Sequence, residues 1–311
     1  MISVLGAGVA GLCAATALAE AGHRVEVIVP EGAPPPVSHL AGGMLAPFCE
    51  GECAPEQIVL EGQGAVTWWS DHVPGVMSRG TLVLAPPRDT PELERFARAT
   101  RGHDWVVPGA LEPDLVGRFA RGLFFANEAH MDPVAALRAL REGLIARGVA
   151  CHSGAPTGQI VDCRGITARK HLPDLRPVRG EMLELHAPDL NLTRPVRLLH
   201  PRFACYLVPR GQGRYMLGAT MVETGRTGPI TARAMMELLS AAYTVHPGFA
   251  EACVIATGAG LRPALPDNIP ALIHQPDRIH VNGMYRHGFL MGPILAARLV
   301  AHFAQETAHA D

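Results

Sequence analysis

The chain has 311 residues, of which 48% are apolar and only 18% charged. That excludes a disordered chain, which is poor in apolar residues and rich in charge, and at roughly 150 residues per domain it allows two domains or one large one. With 27 basic and 29 acidic side chains the net charge is −2, which offers no general attraction to nucleic acid or to an anionic membrane, so a small-molecule partner is expected.

Met1 to Leu5 is a short apolar run with β-branched members, suited to a buried parallel strand. Gly6-Ala7-Gly8-Val9-Ala10-Gly11 follows, and Leu12 to Ala21 is rich in the helix formers Ala and Leu, with Gly22 as the stop. Residues 1–19 carry no charged side chain. A signal peptide would need a basic region first, and glycines at 6, 8 and 11 suit neither it nor a membrane span. The start therefore reads as folded cytoplasmic protein. Arg24 to Val29 is the second strand, completing a β-turn-α-β unit.

Residues 30–47 are dense in Pro and Gly and are expected to form one long loop, a feature that is usually functional in a compact domain. A helix is expected over 56–70, a strand over 80–85, a helix over Thr90 to Thr100 and a strand over Gly122 to Ala126. Asp132-Pro133 pairs an N-cap residue with Pro at the first helical position. Val134, Leu137, Leu140 and Leu144 then repeat at helical spacing up to Gly148. Residues 159–163 suggest a buried strand.

The middle of the chain is strand-rich, at Glu181 to Leu185, Cys205 to Val208 and Arg214 to Gly218, with Gly211 to Gly213 as a hairpin turn. Thr231 to Val245 reads as a helix and Ile279 to Asn282 as a strand. After Gly292-Pro293, a terminal helix is expected over Ile294 to Ala304. The order implies an α/β fold of mixed α+β character, in which a nucleotide-binding domain carries an inserted, mostly antiparallel domain. The expected division assigns 1–70, 128–166 and 254–311 to the first and 71–127 and 167–253 to the second.

The seven cysteines, at 13, 49, 53, 151, 163, 205 and 253, have no regular spacing and read as reduced thiols. Cys49, Cys53 and His39 lack a fourth ligand, so no metal is expected. A lone glycine pattern is weak, but here it sits between strand and helix. Gly6 allows the tight turn, Gly8 lets a pyrophosphate approach the backbone, and Gly11 lets helix pack on strand. The carboxylate usual at the end of the second strand is missing. Val29 stands there and Glu31 follows after Pro30, either reaching the ribose or remaining a solvated loop carboxylate.

Further segments carry more information. They are Leu40 to Pro47 with Gly42-Gly43-Met44-Leu45, then Cys205 to Arg210, then Gly218-Ala219-Thr220-Met221. Gly258 to Pro263 and Gly283-Met284-Tyr285-Arg286-His287-Gly288-Phe289 complete the set. In that order they resemble the D-amino-acid oxidase superfamily of flavoproteins, and within it the glycine oxidases of thiamine biosynthesis, the ThiO family. The resemblance runs over nearly the whole chain. It implies a Rossmann-type FAD-binding domain with an inserted substrate domain and non-covalent FAD. It also implies oxidation of glycine or another small amino acid to the imine, with oxygen reduced to hydrogen peroxide. A thiazole synthase is then a partner for the imine, and a homo-oligomer is expected. Only about ten residues separate Ala150 from Gln159, where the family has a longer hairpin-bearing segment.

Within this frame Arg262 is expected to anchor the substrate carboxylate, because a guanidinium grips a carboxylate with two parallel bonds. Tyr206 either donates its hydroxyl to the same carboxylate or is a structural tyrosine. Arg286 either helps with the amine through its backbone or is a charged loop residue. Met221 lines the pocket wall or fills the core. His287, where the family often has Asn, tunes the flavin or a proton step unless it is simply hydrogen-bonded. Gly288, Phe289 and Leu290, just ahead of the expected terminal helix, place helix amides toward the reduced flavin. Two further readings stay open. One is a dehydrogenase of amines or D-amino acids that passes electrons to a carrier, the other a flavin binder without turnover.

Overall fold

The computed structural model describes residues 1–199 and 205–310. Among them one six-stranded sheet runs in the order Ala271–Gln275, Arg278–Asn282, Gln159–Asp162, Ile2–Leu5, Val25–Ile28, Ala150–His152. All its pairs are parallel except that of Ala271–Gln275 with Arg278–Asn282. The central strands are buried at every position, the polar Ser3 and Glu26 included. Helices Val9–Glu20, Pro133–Ala146 and Gly288–Ala310 share one core with them, including Val4, Leu12, Val27, Leu140 and Leu295. Asp132 caps the second of these helices, its carboxylate accepting from the N–H groups of Val134 and Ala135.

The second sheet has nine strands. Its main path is Val222–Glu223, Arg176–His186, Arg214–Gly218, Cys205–Gly211, Val196–Leu198, Thr81–Leu84, Gly122–Phe125, Asp104–Val106. It is antiparallel apart from the pair Val196–Leu198 with Thr81–Leu84. Helix Ala232–Val245 packs Leu238, Ala241 and Val245 into a core with Leu183, Leu185 and Leu217. The architecture is thus a Rossmann-type α/β part with a mostly antiparallel insertion. No described helix is long and apolar enough to cross a membrane.

Three expectations need correction. Residues 253–264 form one strand, Cys253–Ala264, which pairs with Arg176–His186 along its length. Residues 254–264 therefore lie in the antiparallel sheet, and the boundary at 254 falls inside a strand. Residues 30–47 are not one loop. They hold the 3-10 turn Val37–Leu40, the strand Met44–Leu45 paired with Ala129–His130, and the start of helix Pro47–Glu50. The terminal helix begins at Gly288, six residues ahead of Ile294, and keeps Pro293 inside it.

The short link after Ala150–His152 closes on buried polar groups. Ser3 Oγ donates to Glu26 at 2.5 Å and accepts from the N–H groups of Thr157 and Gly158 at 3.1 and 2.9 Å. His152 adds a bond to Glu26 at 2.9 Å. Burial alone would raise the Glu26 pKa, but bonds from Ser3, Thr157 and His152 bring it down to about 2. A buried carboxylate with four donors thus fastens the link to the central strands.

Pro293 would ordinarily end a helix, because it has no N–H for the carbonyl four residues back. That carbonyl belongs to Phe289, and the indole N–H of fully buried Trp69 donates to it at 2.8 Å. The helix can therefore start at Gly288. Removing the indole donor with Trp69→Phe should cost about 2 kcal/mol, since it leaves a buried carbonyl unpaired. In a Pro293→Ala background the new N–H at 293 takes that carbonyl, and the same substitution should cost less than half as much. Chemical denaturation of the four proteins checks this; equal costs in both backgrounds would contradict it.

Candidate active site

The glycine turn has the geometry of an anion cradle. Helix Val9–Glu20 begins directly after Gly8 with no acidic residue in its first turn, so its amides and positive dipole end stay available. A Cβ on Gly11 would lie 1.9 Å from the Gly6 carbonyl oxygen, so only glycine allows this approach. The Val9 N–H is met by the Ser38 hydroxyl at 3.1 Å. Ala7 lines a cavity of about 190 Å³ together with Val27, Val29, Arg141, Cys151 and His152. Ala10 is buried behind the turn, and Glu31 is exposed, with no hydrogen bond among the described residues.

Gly42, Gly43, Met44 and Leu45 are held from beneath by Arg210. Its guanidinium donates to the carbonyls of Met131, Ala41 and Gly42 at 2.7, 3.1 and 2.9 Å. Burial lowers the Arg210 pKa to about 10, which still leaves it charged at neutral pH. Gly43 has φ +66° and Leu45 is fully buried. This half-buried cation is therefore a clamp on the backbone of the loop.

Arg262 sits on Cys253–Ala264, opposite Val178 in the register. Its side chain lies flat over Gly180, where a Cβ would come within 2.3 Å of the guanidinium. One N–H donates to the Thr220 carbonyl at 3.0 Å. No carboxylate pairs with it among the described residues. Desolvation and the nearby Arg286 lower its pKa to about 10, so it is a half-buried cation without a carboxylate partner among the described residues.

Arg286 is paired. Its Nη2 donates to Glu50 Oε1 at 3.0 Å and to the Tyr206 hydroxyl at 2.8 Å, and its Nη1 lies 3.4 Å from Cys53 Sγ. Tyr206 in turn donates to Glu50 Oε1 at 3.2 Å. Burial alone would raise the Glu50 pKa, but the guanidiniums of Arg286 and Arg197 draw it down to about 2. Burial raises the Tyr206 phenol and keeps His287 neutral despite Glu50 Oε2 at 3.8 Å from its Nδ1. The Tyr285 N–H donates to the Pro263 carbonyl at 2.8 Å, which docks this loop against the Arg262 strand.

The structure therefore brings Arg262, Tyr206 and Arg286 together, but the Tyr206 hydroxyl is already engaged with a carboxylate of the chain. Met221 is 41% exposed and receives the Tyr285 hydroxyl at 3.5 Å, so it does not fill the core. Gly288, Phe289 and Leu290 open the terminal helix itself rather than preceding it. A Cβ on Gly288 would lie 2.9 Å from Val9 Cγ1, so the two helix N-termini sit side by side.

Sequence reasoning passed over Glu50, Ser38, Arg210, Arg197 and Glu128. Glu50 had a signal, as an acid just after the apolar run Ala46-Pro47-Phe48-Cys49. Arg197 is almost fully buried, bonded to the Cys49 carbonyl at 2.9 Å and to Glu52 at 2.5 Å. Glu128, also buried, accepts the Cys49 N–H at 2.7 Å.

The profile of the FAD dependent oxidoreductase family, DAO, matches residues 1–302. A Rhizobium etli protein that carries the name thiamine biosynthesis oxidoreductase ThiO is 50% identical over 316 residues, covering 98% of this chain and 97% of that one. The bifunctional protein ThiO/ThiG of a Nostoc species is 26% identical, with 95% of this chain matched to 51% of the longer protein. The crystal structure of glycine oxidase from Geobacillus kaustophilus superposes with a TM-score of 0.79 at 23% identity, covering 97% and 94% of the two chains. At that identity the superposition speaks to the fold alone.

Burial raises the pKa of Glu128 to about 8. The folded protein therefore holds this proton from the ordinary value of 4.5 up to about 8, while the unfolded chain has lost it. Stability must fall with rising pH across that window. Glu128→Gln, neutral at every pH, should raise the melting temperature at pH 8 more than at pH 5. A difference that does not grow with pH would contradict the assignment.

Proposed function

This chain belongs to the DAO family of FAD-dependent oxidoreductases, and from that premise we propose that it oxidises glycine or another small amino acid to the imine, with oxygen reduced to hydrogen peroxide. It is an oxidoreductase of the glycine oxidase and ThiO type. The observation that carries the substrate reading is Arg262, a half-buried cation with no carboxylate partner among the described residues, beside an arginine that has one.

FAD suits the residues present. The turn from Gly6 to Gly11, the Ala10 amide and the Ser38 hydroxyl, itself held by the Val9 N–H, would hold the pyrophosphate. The cavity lined by Ala7, Val27, Val29, Arg141, Cys151 and His152 would take the adenosine end. When bound, the flavin accepts the hydride from the substrate Cα and passes the electrons to oxygen.

The chain's own residues do the positioning. Arg262 grips the substrate carboxylate with two parallel N–H···O bonds and replaces the water that would otherwise solvate it. Glu50 and Tyr206 fix Arg286 at one edge of the site. His287, neutral because it is buried, can accept a proton as the substrate amine becomes the neutral form that hydride loss requires. The helix start at Gly288 and Phe289 turns a positive dipole end toward charge that develops during transfer.

Supplying the imine for thiamine thiazole synthesis goes with this reading, as does a cytoplasmic location. The single Nostoc chain named for ThiO and ThiG supports a thiazole synthase as partner.

The test is turnover of glycine with peroxide detection. Arg262→Ala should raise KM for glycine about a hundredfold, because a buried charge-assisted contact is lost, while the protein keeps its flavin. Arg262→Lys should recover only part of that loss, since lysine cannot make the planar double contact. An unchanged KM in Arg262→Ala would remove this residue from the site.

A further inference from the structure

Three arginines, the buried Arg197 and the half-buried Arg262 and Arg286, lie at the substrate region, and their charges are balanced unequally. Arg197 is paired with Glu52 and Arg286 with Glu50. Arg262 has only the Thr220 carbonyl. His287 and Tyr206 are neutral. The uncompensated charge of the site is therefore one cation, which matches one substrate carboxylate.

From this balance we infer that Glu50 is a specificity determinant that restricts the site to substrates with a single carboxylate. The inference rests on the amino-acid oxidase reading above. Glu50 is placed for this role by several contacts. Its Oε1 is committed to Arg286 and Tyr206. Its Oε2 lacks a well-formed hydrogen bond, although it lies 3.0 Å from Arg286 Nη2 and faces His287 Nδ1 at 3.8 Å. A second anionic group on the substrate nitrogen or Cα would enter a region where Arg286 is already neutralised and would be repelled by the Glu50 carboxylate. The exclusion is electrostatic rather than steric, because a neutral substituent of similar size meets no such repulsion.

Removing the charge while keeping the shape should invert the selectivity. Glu50→Gln keeps an oxygen acceptor for Arg286 and Tyr206 but leaves Arg286 without a counter-charge, and the site then holds two unbalanced cations. Glu50→Asp keeps the charge and serves as the conservative control.

The experiment uses the flavin-loaded protein and two readouts. In the first, the flavin absorbance is titrated with acetate and with malonate, and the ratio of the two Kd values is compared across wild type, Glu50→Gln and Glu50→Asp. In the second, kcat/KM is measured for glycine, sarcosine and iminodiacetate. In Glu50→Gln the malonate-to-acetate affinity ratio and the iminodiacetate-to-glycine kcat/KM ratio should each rise about tenfold or more. The sarcosine-to-glycine ratio should stay within about threefold, and Glu50→Asp should resemble wild type in all three.

A residue that merely supports the fold would lower every ligand together and leave these ratios unmoved, and that result would overturn the inference. Wild-type protein that prefers acetate to malonate but is not reduced by glycine would refute the substrate reading and leave the role of Glu50 standing if the ratio still shifts in Glu50→Gln.

Discussion

A guanidinium drawn partly out of water without a carboxylate is costly, and that cost falls when its remaining donors find an acceptor. Arg262 is in that position, and much of the surrounding structure follows from accommodating it. It lies flat on the backbone at Gly180, where any side chain would collide, and a single carbonyl of the chain holds one edge of its fork. Its neighbours Arg197 and Arg286 are each supplied with a glutamate. Arg262 and Arg286 are both half-buried, so the contrast between them is one of pairing. It leaves Arg262 without an anion among the described residues, and the proposed function completes it with a ligand carboxylate.

The strand that carries Arg262 also joins the two halves of the molecule. It pairs with Arg176–His186 in the antiparallel sheet. At Gly258 and Gly260 it presents bare backbone to Leu40 and Val37, at distances a Cβ would close to 2.5 Å. Those residues belong to the turn that brings Ser38 to the Val9 amide. At Pro263 the same strand receives the Tyr285 N–H and so fixes the loop bearing Arg286 and His287. The glycine turn and Arg262 are thus set by one element. Trp69 contributes from the other side, by letting the last helix begin next to Val9.

What could be read from the sequence follows the same physics. The first unit, Ile2–Leu5 through Val25–Ile28, was legible because period, glycine spacing and helix stop agree. The helix after Asp132 was legible from its cap. Strand Cys253–Ala264 was not, because its first half is exposed at a sheet edge and its second half carries glycines, so it shows no alternation. The terminal helix start was misplaced because the rule for Pro293 assumes an unpaired carbonyl, and the donor that satisfies it lies 220 residues away in sequence. Arg262, Tyr206 and Arg286 were singled out through motif resemblance, and the fold brings them together. Glu50 and Arg210 were missed because their importance lies in what they pair with, and pairing is a property of the folded chain.

The most direct measurement is the visible spectrum of the flavin-loaded protein, taken without oxygen before and after glycine is added, in wild type and in Arg262→Ala. A carboxylate-accepting cation at Arg262 predicts that the flavin bands of wild type bleach on glycine. At the same glycine concentration the variant should remain oxidised. Bleaching to the same extent in both proteins would show that Arg262 does not hold the substrate and would contradict the assignment on which the site is built.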